Sequence, residues 1–205
     1  MSSELIVVRH GESTWNRDHL FQGQADPPLT ELGRTQAAEL AARCRELDVH
    51  AVAASDLVRA FETATVVADA LRLPSPARLP NLRERWSRTL TGLTQDEIEE
   101  RYAGRLAAWR DGHSTDLPGD SEPYEPFAER VIDGLHAAAA LGDRLLVVVH
   151  GGVFRVLARV CGSDLSTGVP HTAARAITVS SSGITDRGDP FALAPVRART
   201  GMEDL

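Results

Sequence analysis

Three short stretches of the chain carry the residue types of phosphoryl chemistry. Arg9-His10-Gly11 follows the apolar run Leu5-Ile6-Val7-Val8, and His150-Gly151-Gly152 follows an apolar run at 145–149. The third, Ser55-Asp56 with Arg59 just beyond, follows Ala51-Val52-Ala53-Ala54. An imidazole with one unprotonated nitrogen can attack phosphorus, and a protonated one can donate to an oxygen. Arginine presents a planar fork of charged donors that suits phosphate. Glycine lets the backbone approach a ligand closely. Two histidines and two arginines behind three apolar runs therefore point to a phosphate. A metal centre is the rival use of the histidines. The set has no local carboxylate pair and no His-x-x-x-His spacing, and arginines beside a divalent cation are electrostatically unhelpful. Neither a metal nor a cofactor is expected. His19, His50, His113, His136 and His171 are read as ordinary satisfied or exposed side chains, because none both follows an apolar run and precedes glycine.

The apolar runs must be strands for this convergence to occur. Their continuous hydrophobicity is that of strands buried on both faces. Thr30 is placed to cap a helix over 31–47 with an apolar stripe of Leu32, Ala37, Leu40, Ala41, Cys44 and Leu47. Ser55 is expected to cap a second helix, with Leu57, Phe61, Ala64, Ala68 and Leu71 inward. A Pro-rich stretch at 74–80 can hold a strand. Pro123 and Pro126 bracket the start of a helix carrying Phe127, Val131 and Leu135. A helix with Val153, Val156, Leu157 and Val160 follows Gly152. Strands are expected at 176–179 and, at an edge, at 191–196. The alternation implies α/β: a three-layer α/β/α sandwich with a mainly parallel central sheet. The polar, irregular stretch at about 81–126 reads as a helical and loop insertion covering the active face of a single domain spanning 1–205. In such sheets ligands bind beyond the carboxyl ends of the strands, where the three motifs fall.

Composition narrows the classes. The chain has 205 residues, 42% hydrophobic and 25% charged, which suits a folded globular domain. Its net charge is −7, so it lacks the overall basic footprint of a nucleic-acid binder. All 22 basic residues are arginine, a bias that does not by itself mark a site. No apolar run is long enough to span a bilayer, and no membrane partner is expected. The first residues lack a basic region and a signal-like core, so the expected compartment is the cytoplasm. Cys44 and Cys161 form no metal-binding pattern and read as small apolar residues.

Arg9-His10-Gly11-Glu12-Ser13-Thr14-Trp15-Asn16 resembles the signature of the histidine phosphatase superfamily, which includes the cofactor-dependent phosphoglycerate mutases. Gln22 to Thr30, Leu32-Gly33-Arg34, Ser55-Asp56-Leu57-Val58-Arg59, Leu82-Arg83-Glu84 and Val148-Val149-His150-Gly151-Gly152 continue the resemblance in order. The resemblance implies that His10 is the nucleophile and forms a phosphohistidine. It implies that Arg9, Arg59 and a protonated His150 hold the phosphoryl oxygens. Asn16, Gln22, Gly23 and Gly151 would complete the phosphate site, and Glu84 would be general acid and then general base. Glu84 is also the only carboxylate between Asp69 and Asp96.

The segment after Glu84 departs from the family pattern and reads Arg85-Trp86-Ser87-Arg88. Arg88 stands where the family usually has glycine and is expected to reach the pocket and meet a second anion, with Trp86 as an apolar wall. The implied activity is metal-independent hydrolysis of a phosphate monoester of a small metabolite. A phosphoglycerate mutase is the alternative. Against it stand Gly152, where mutases usually have Asn, and a length that leaves no room for the mutase insertion. A non-catalytic phospholigand-binding member is the second alternative. The oligomeric state is open, with a homodimer admitted.

Overall fold

A computed structural model of the chain describes residues 2–162 and 169–188. Six strands form one sheet in the order β3-β2-β4-β1-β5-β6. They are β1 (Ser2–Arg9), β2 (Ala51–Ala54), β3 (Ala77–Arg78), β4 (Arg144–Val149), β5 (Ala174–Ser180) and β6 (Gly183–Gly188). β3, β2, β4 and β1 run parallel, while β5 is antiparallel to β1 and β6 to β5. The sheet is thus mainly parallel, as expected, in four of its six strands, with an antiparallel pair added at one edge. The strand expected at 191–196 lies outside the described residues, and the edge strand that is described is β6.

Period-two alternation sends the strand side chains to opposite layers. Leu5, Val7, Leu145, Val147 and Val149 pack with Phe127, Val131 and Leu135 of α6 (Tyr124–Ala139) and Val153, Val156 and Leu157 of α7 (Gly151–Cys161). Ile6, Val8, Leu146 and Val148 pack on the other face with α2 (Glu31–Cys44) and α3 (Val58–Leu71). The architecture is therefore a three-layer α/β/α sandwich. Each fully buried Val or Leu of this kind is worth roughly 1.5–3 kcal/mol against exposure. Between the strands and helices, β1 leads into the single turn α1 (Thr14–Arg17). A third cluster joins Phe21 and Leu90 to Ile98 of α4 (Gln95–Arg101), Leu106 of α5 (Arg105–Arg110) and Leu117. No helix among the described residues is long and apolar enough to cross a membrane.

Several local expectations need correction. α2 ends at Cys44, and Leu32 stays 49% exposed because it sits on the first turn's outer face. Ser55 does not cap α3. Its hydroxyl accepts from the Leu57 amide, and the helix starts after Leu57 without a side-chain cap from that residue. The amide of Val58 instead donates to Asp26 Oδ1 from a distant loop, at 2.5 Å. The inward face of α3 is Ala60, Thr63, Ala64, Val67 and Ala68, with Arg59 also buried, and Phe61 and Leu71 lie at its margin. On α7, Phe154 is buried and Val160 is 41% exposed.

Candidate active site

The carboxyl ends of β1, β2 and β4 deliver the three motifs to one cavity. It is lined by Arg9, His10, Gln22, Gly23, Arg59, Glu84, Gly151 and Gly152, among others. Close backbone approach makes this convergence tight. A Cβ on Gly11 would stand 2.5 Å from the carbonyl oxygen of Gly33, which pins the turn after β1 against the start of α2.

His10 is almost fully buried. Its Nδ1–H donates to the carbonyl of Gly11 at 2.7 Å, so the lone pair belongs to Nε2. Arg59 Nε donates toward that Nε2 at 3.3 Å, a long bond that marks the lone pair's direction. Burial, then the charge of Arg59, hold the His10 pKa well below its usual value. The ring is therefore neutral at neutral pH, the form a nucleophile needs. Arg59 is itself buried by α3 and anchored by donations to Ala25 O at 2.7 Å and Gly23 O at 2.9 Å. Burial brings its pKa down to about 10, which still leaves it charged at neutral pH. Arg9 lines the same cavity from the end of β1 and donates from Nη1 to Val169 O.

His150 is fully buried, with its ring centroid 5.2 Å from that of His10. Neither of its ring nitrogens has a hydrogen-bond partner among the described residues. A buried polar group left this way is costly unless a ligand or water satisfies it. Burial, Arg59 and Arg9 push its pKa well down. The expected protonated His150 is thus corrected to a neutral ring, which still donates through one N–H.

Glu84 enters the cavity from the loop after β3 and a 3-10 turn at Pro80–Leu82. Its carboxylate accepts from the amides of Arg85 at 2.7 Å and Gly152 at 2.9 Å. A Cβ at position 152 would meet Glu84 Oε1 at 2.1 Å, so glycine there is a condition of this seating. Arg130, on α6, clamps the loop from behind. It donates to the carbonyls of Asn81, Arg83 and Glu84 at 2.9, 2.7 and 3.0 Å and pairs with Glu122. Asp56 is held by Arg83 through two bonds of 2.7 and 2.6 Å, and this pairing keeps its carboxyl below the usual range. Gly152→Ala is therefore expected to displace the Glu84 carboxylate. The predicted result is a kcat lower by at least about tenfold with thermal stability little changed, because the clash falls on a side chain that can swing away. A kcat within twofold of the parent protein would show that the Glu84 position does not matter.

The remaining expectations divide. Gln22 Oε1 lies 2.8 Å from the Ser13 hydroxyl at the cavity wall and shares that hydroxyl's single proton with Asn16 Oδ1. Gly23 contributes a wall and a carbonyl for Arg59. Asn16 does not line the cavity. Its Oδ1 accepts from the Ser13 amide and hydroxyl in the capping box of α1, so it acts on Gln22 through Ser13. Arg88 is not in the site. Its side chain is 78% exposed, pairs with Asp120 and lies over Trp86 on an outer groove. Arg85 takes the inward place instead, bonded at 2.6 Å to both Glu122 O and Thr115 O. Sequence reasoning also missed Trp109, Arg155 and His171. His171 Nδ1 donates to His10 O at 3.1 Å, with the two rings 5.7 Å apart, and burial lowers its pKa to about 3. The available signal was topological. β5 is antiparallel to β1, so the residues before it lie at the edge where β1 ends.

Among the described residues no group of three or more His, Cys, Asp or Glu is arranged to hold a metal ion. The charged donors of the cavity are arginines, which supply cationic hydrogen bonds themselves.

Comparison with known proteins agrees with this geometry. A family model described as histidine phosphatase superfamily (branch 1) matches residues 5–186. A metal-independent phosphoserine phosphatase of Arabidopsis thaliana is 36% identical over 159 residues, covering 76% of this chain and 67% of the relative. A 2,3-bisphosphoglycerate-dependent phosphoglycerate mutase of Methylobacterium radiotolerans is 33% identical, covering 91% of this chain and 97% of the relative. A solved mycobacterial glucosyl-3-phosphoglycerate phosphatase, in complex with VO3, superposes with a TM-score of 0.78 at 28% identity, covering 91% and 97% of the two chains. The mutase is spanned almost end to end, so chain length does not separate mutase from phosphatase, contrary to the expectation from sequence.

Proposed function

The chain belongs to the histidine phosphatase superfamily, and from that premise we propose that it hydrolyses a phosphate monoester of a small metabolite through a phosphohistidine on His10. The observation that carries this reading is the tautomer of His10. Its Nδ1–H is committed to Gly11 O, which leaves the Nε2 lone pair in a cavity shared with Glu84, Arg9 and Arg59. In the first step Nε2 bonds to phosphorus while the bond to the leaving oxygen breaks, and protonated Glu84 delivers its proton to that oxygen. In the second, the Glu84 carboxylate takes a proton from a water that attacks phosphorus. Inorganic phosphate leaves and His10 is restored. Arg9, Arg59 and the neutral His150 donate to the phosphoryl oxygens as charge develops. Residues 81–126 cover this face and meet the leaving group, and a cytoplasmic setting fits a phosphorylated metabolite as the partner.

Transfer to a second hydroxyl, the mutase reaction, is the second reading, favoured by the mutase relative. Gly152, where mutases usually have Asn, favours hydrolysis. Incubation with a panel of phosphorylated metabolites in the presence of EDTA decides. Release of inorganic phosphate from at least one ester, unchanged by EDTA, is expected. Isomerised phosphoester without phosphate release would favour the mutase, turnover restored by one specific divalent ion would contradict the mechanism, and no turnover of any ester would favour a binding protein.

A further inference from the structure

The backbone of the nucleophile is gripped by side chains from outside its own motif. β1 ends in ladder bonds to the chain just before β5: the Arg9 amide donates to Ala173 O at 3.0 Å, and the Thr172 amide donates to Arg9 O at 3.0 Å. The next carbonyl, that of His10, takes its donor from a side chain, His171 Nδ1–H, at 3.1 Å. The peptide between His10 and Gly11 is thereby held on both edges, because its N–H donates to Thr63 Oγ1 at 3.1 Å. The Thr63 hydroxyl in turn donates to Arg59 O at 2.8 Å, which ties the turn to the helix that carries Arg59. One peptide further on, the Glu12 amide donates to Gln36 Oε1 at 2.8 Å. The carbonyl of that same peptide is Gly11 O, the acceptor for His10 Nδ1.

Glycine at position 11 leaves the backbone there free to rotate, so these bonds fix its course. The His10 amide donates to Val149 O at 3.0 Å. With the His10 carbonyl on His171, the peptide groups on both sides of the His10 Cα are set, and so is the bond from which the imidazole hangs. The segment that carries His171 is shaped for this contact. Pro170 to Ala173 form a tight turn, closed by the Ala173 amide on Pro170 O at 3.1 Å. Within it Thr172 has φ 58°, a left-handed value that a β-branched residue adopts only under constraint. Strain of this kind persists where the surrounding contacts over-determine it, and it clusters at functional sites. The constraining contacts here are the Thr172 amide on Arg9 O and the Thr172 hydroxyl on His171 O at 2.7 Å. The His171 ring stands tilted by 46° to that of His10. Burial, then the charge of Arg9, keep it neutral, so it donates without adding a charge beside the nucleophile.

We propose that His171 is a positioning residue for the nucleophile: its Nδ1–H on the His10 carbonyl holds the backbone so that the His10 imidazole keeps its own Nδ1–H on Gly11 O and its Nε2 toward the scissile phosphate. The role rests on the phosphohistidine reading and adds to it a residue that acts through His10. A single donor at that place is all the role needs. The Asn side chain carries its N–H donors on an atom as many bonds from Cα as His Nδ1, so it can serve in place of the ring.

The parent protein, His171→Ala and His171→Asn are compared by steady-state kinetics on p-nitrophenyl phosphate, by thermal unfolding, and by NMR of isotope-labelled histidine without substrate. His171→Ala is expected to lower kcat by about 10–100-fold with KM within about threefold, because a misplaced nucleophile costs rate while Arg9, Arg59 and His150 still bind the phosphate. His171→Asn is expected to keep kcat within about threefold of the parent protein. Both variants lose the ring, so their unfolding temperatures should fall by similar amounts. The spectra are expected to show His10 as one tautomer, protonated at Nδ1, in the parent protein and in His171→Asn, and as a mixture of tautomers in His171→Ala. A kcat of His171→Ala within twofold of the parent protein overturns the proposal. So does a His171→Asn as slow as His171→Ala, a His10 spectrum identical in all three proteins, or a loss of rate in His171→Ala that tracks unfolding at the assay temperature. If the parent protein hydrolyses no ester, the phosphohistidine reading fails by itself, and the tautomer comparison still decides whether His171 holds His10.

Discussion

His10→Ala is expected to lower kcat for any ester substrate by at least about 10⁴-fold, because the group that bonds to phosphorus is gone. The fold should survive. The change removes two side-chain hydrogen bonds, that to Gly11 O and the long one from Arg59 Nε, of a kind worth about 1 kcal/mol each. It also removes a buried imidazole that must stay neutral beside Arg59. Steady-state rates and thermal unfolding of the same preparation check both halves. A rate within tenfold of the parent protein in a folded variant would mean that His10 is not the nucleophile.

Glu84→Gln should produce the next largest loss, and the loss should depend on the leaving group. Gln keeps the shape, and its one oxygen can accept from one of the two amides, those of Arg85 and Gly152, that the carboxylate holds on separate oxygens. It cannot deliver a proton. An alkyl phosphate needs its departing oxygen protonated, so its kcat is expected to fall by about 10²–10⁴-fold. p-Nitrophenolate departs with far less help, so its first step should fall much less. Paired kinetics on the two esters read the difference. Equal losses would confine Glu84 to holding structure.

The parts of this site that were legible in the sequence share one property. Arg9-His10 and His150-Gly151 directly follow runs such as Leu5-Ile6-Val7-Val8, whose uniform apolar character identifies a doubly covered parallel strand. The carboxyl-end rule then places whatever comes next. Arg59 was legible because the helix carrying it begins soon after β2. Where no period or strand end fixes direction, local reading chose wrongly. In Arg83-Glu84-Arg85-Trp86-Ser87-Arg88 the backbone is irregular, and the inward residue is selected by contacts from far along the chain. Arg85 is held by the carbonyls of Thr115 and Glu122, and Arg88 is drawn outward to Asp120. His171 was lost for another reason. It precedes an antiparallel strand, and for such a strand the amino end, not the carboxyl end, reaches the active edge. The cap of α3 by Asp26 is likewise a bond across 32 positions that no local pattern announces. Gly152 could be read only as permissive. The 2.1 Å approach of a Cβ to Glu84 turns it into a requirement.

The central claim is the covalent step, and rapid-quench labelling tests it most directly. The protein is mixed for milliseconds with an ester carrying radioactive phosphate, quenched in base, and digested for peptide mapping. The account predicts a label on the peptide containing His10 that survives base, is lost in acid and is absent from His10→Ala. A label that resists acid, maps to another residue or persists in that variant would contradict it.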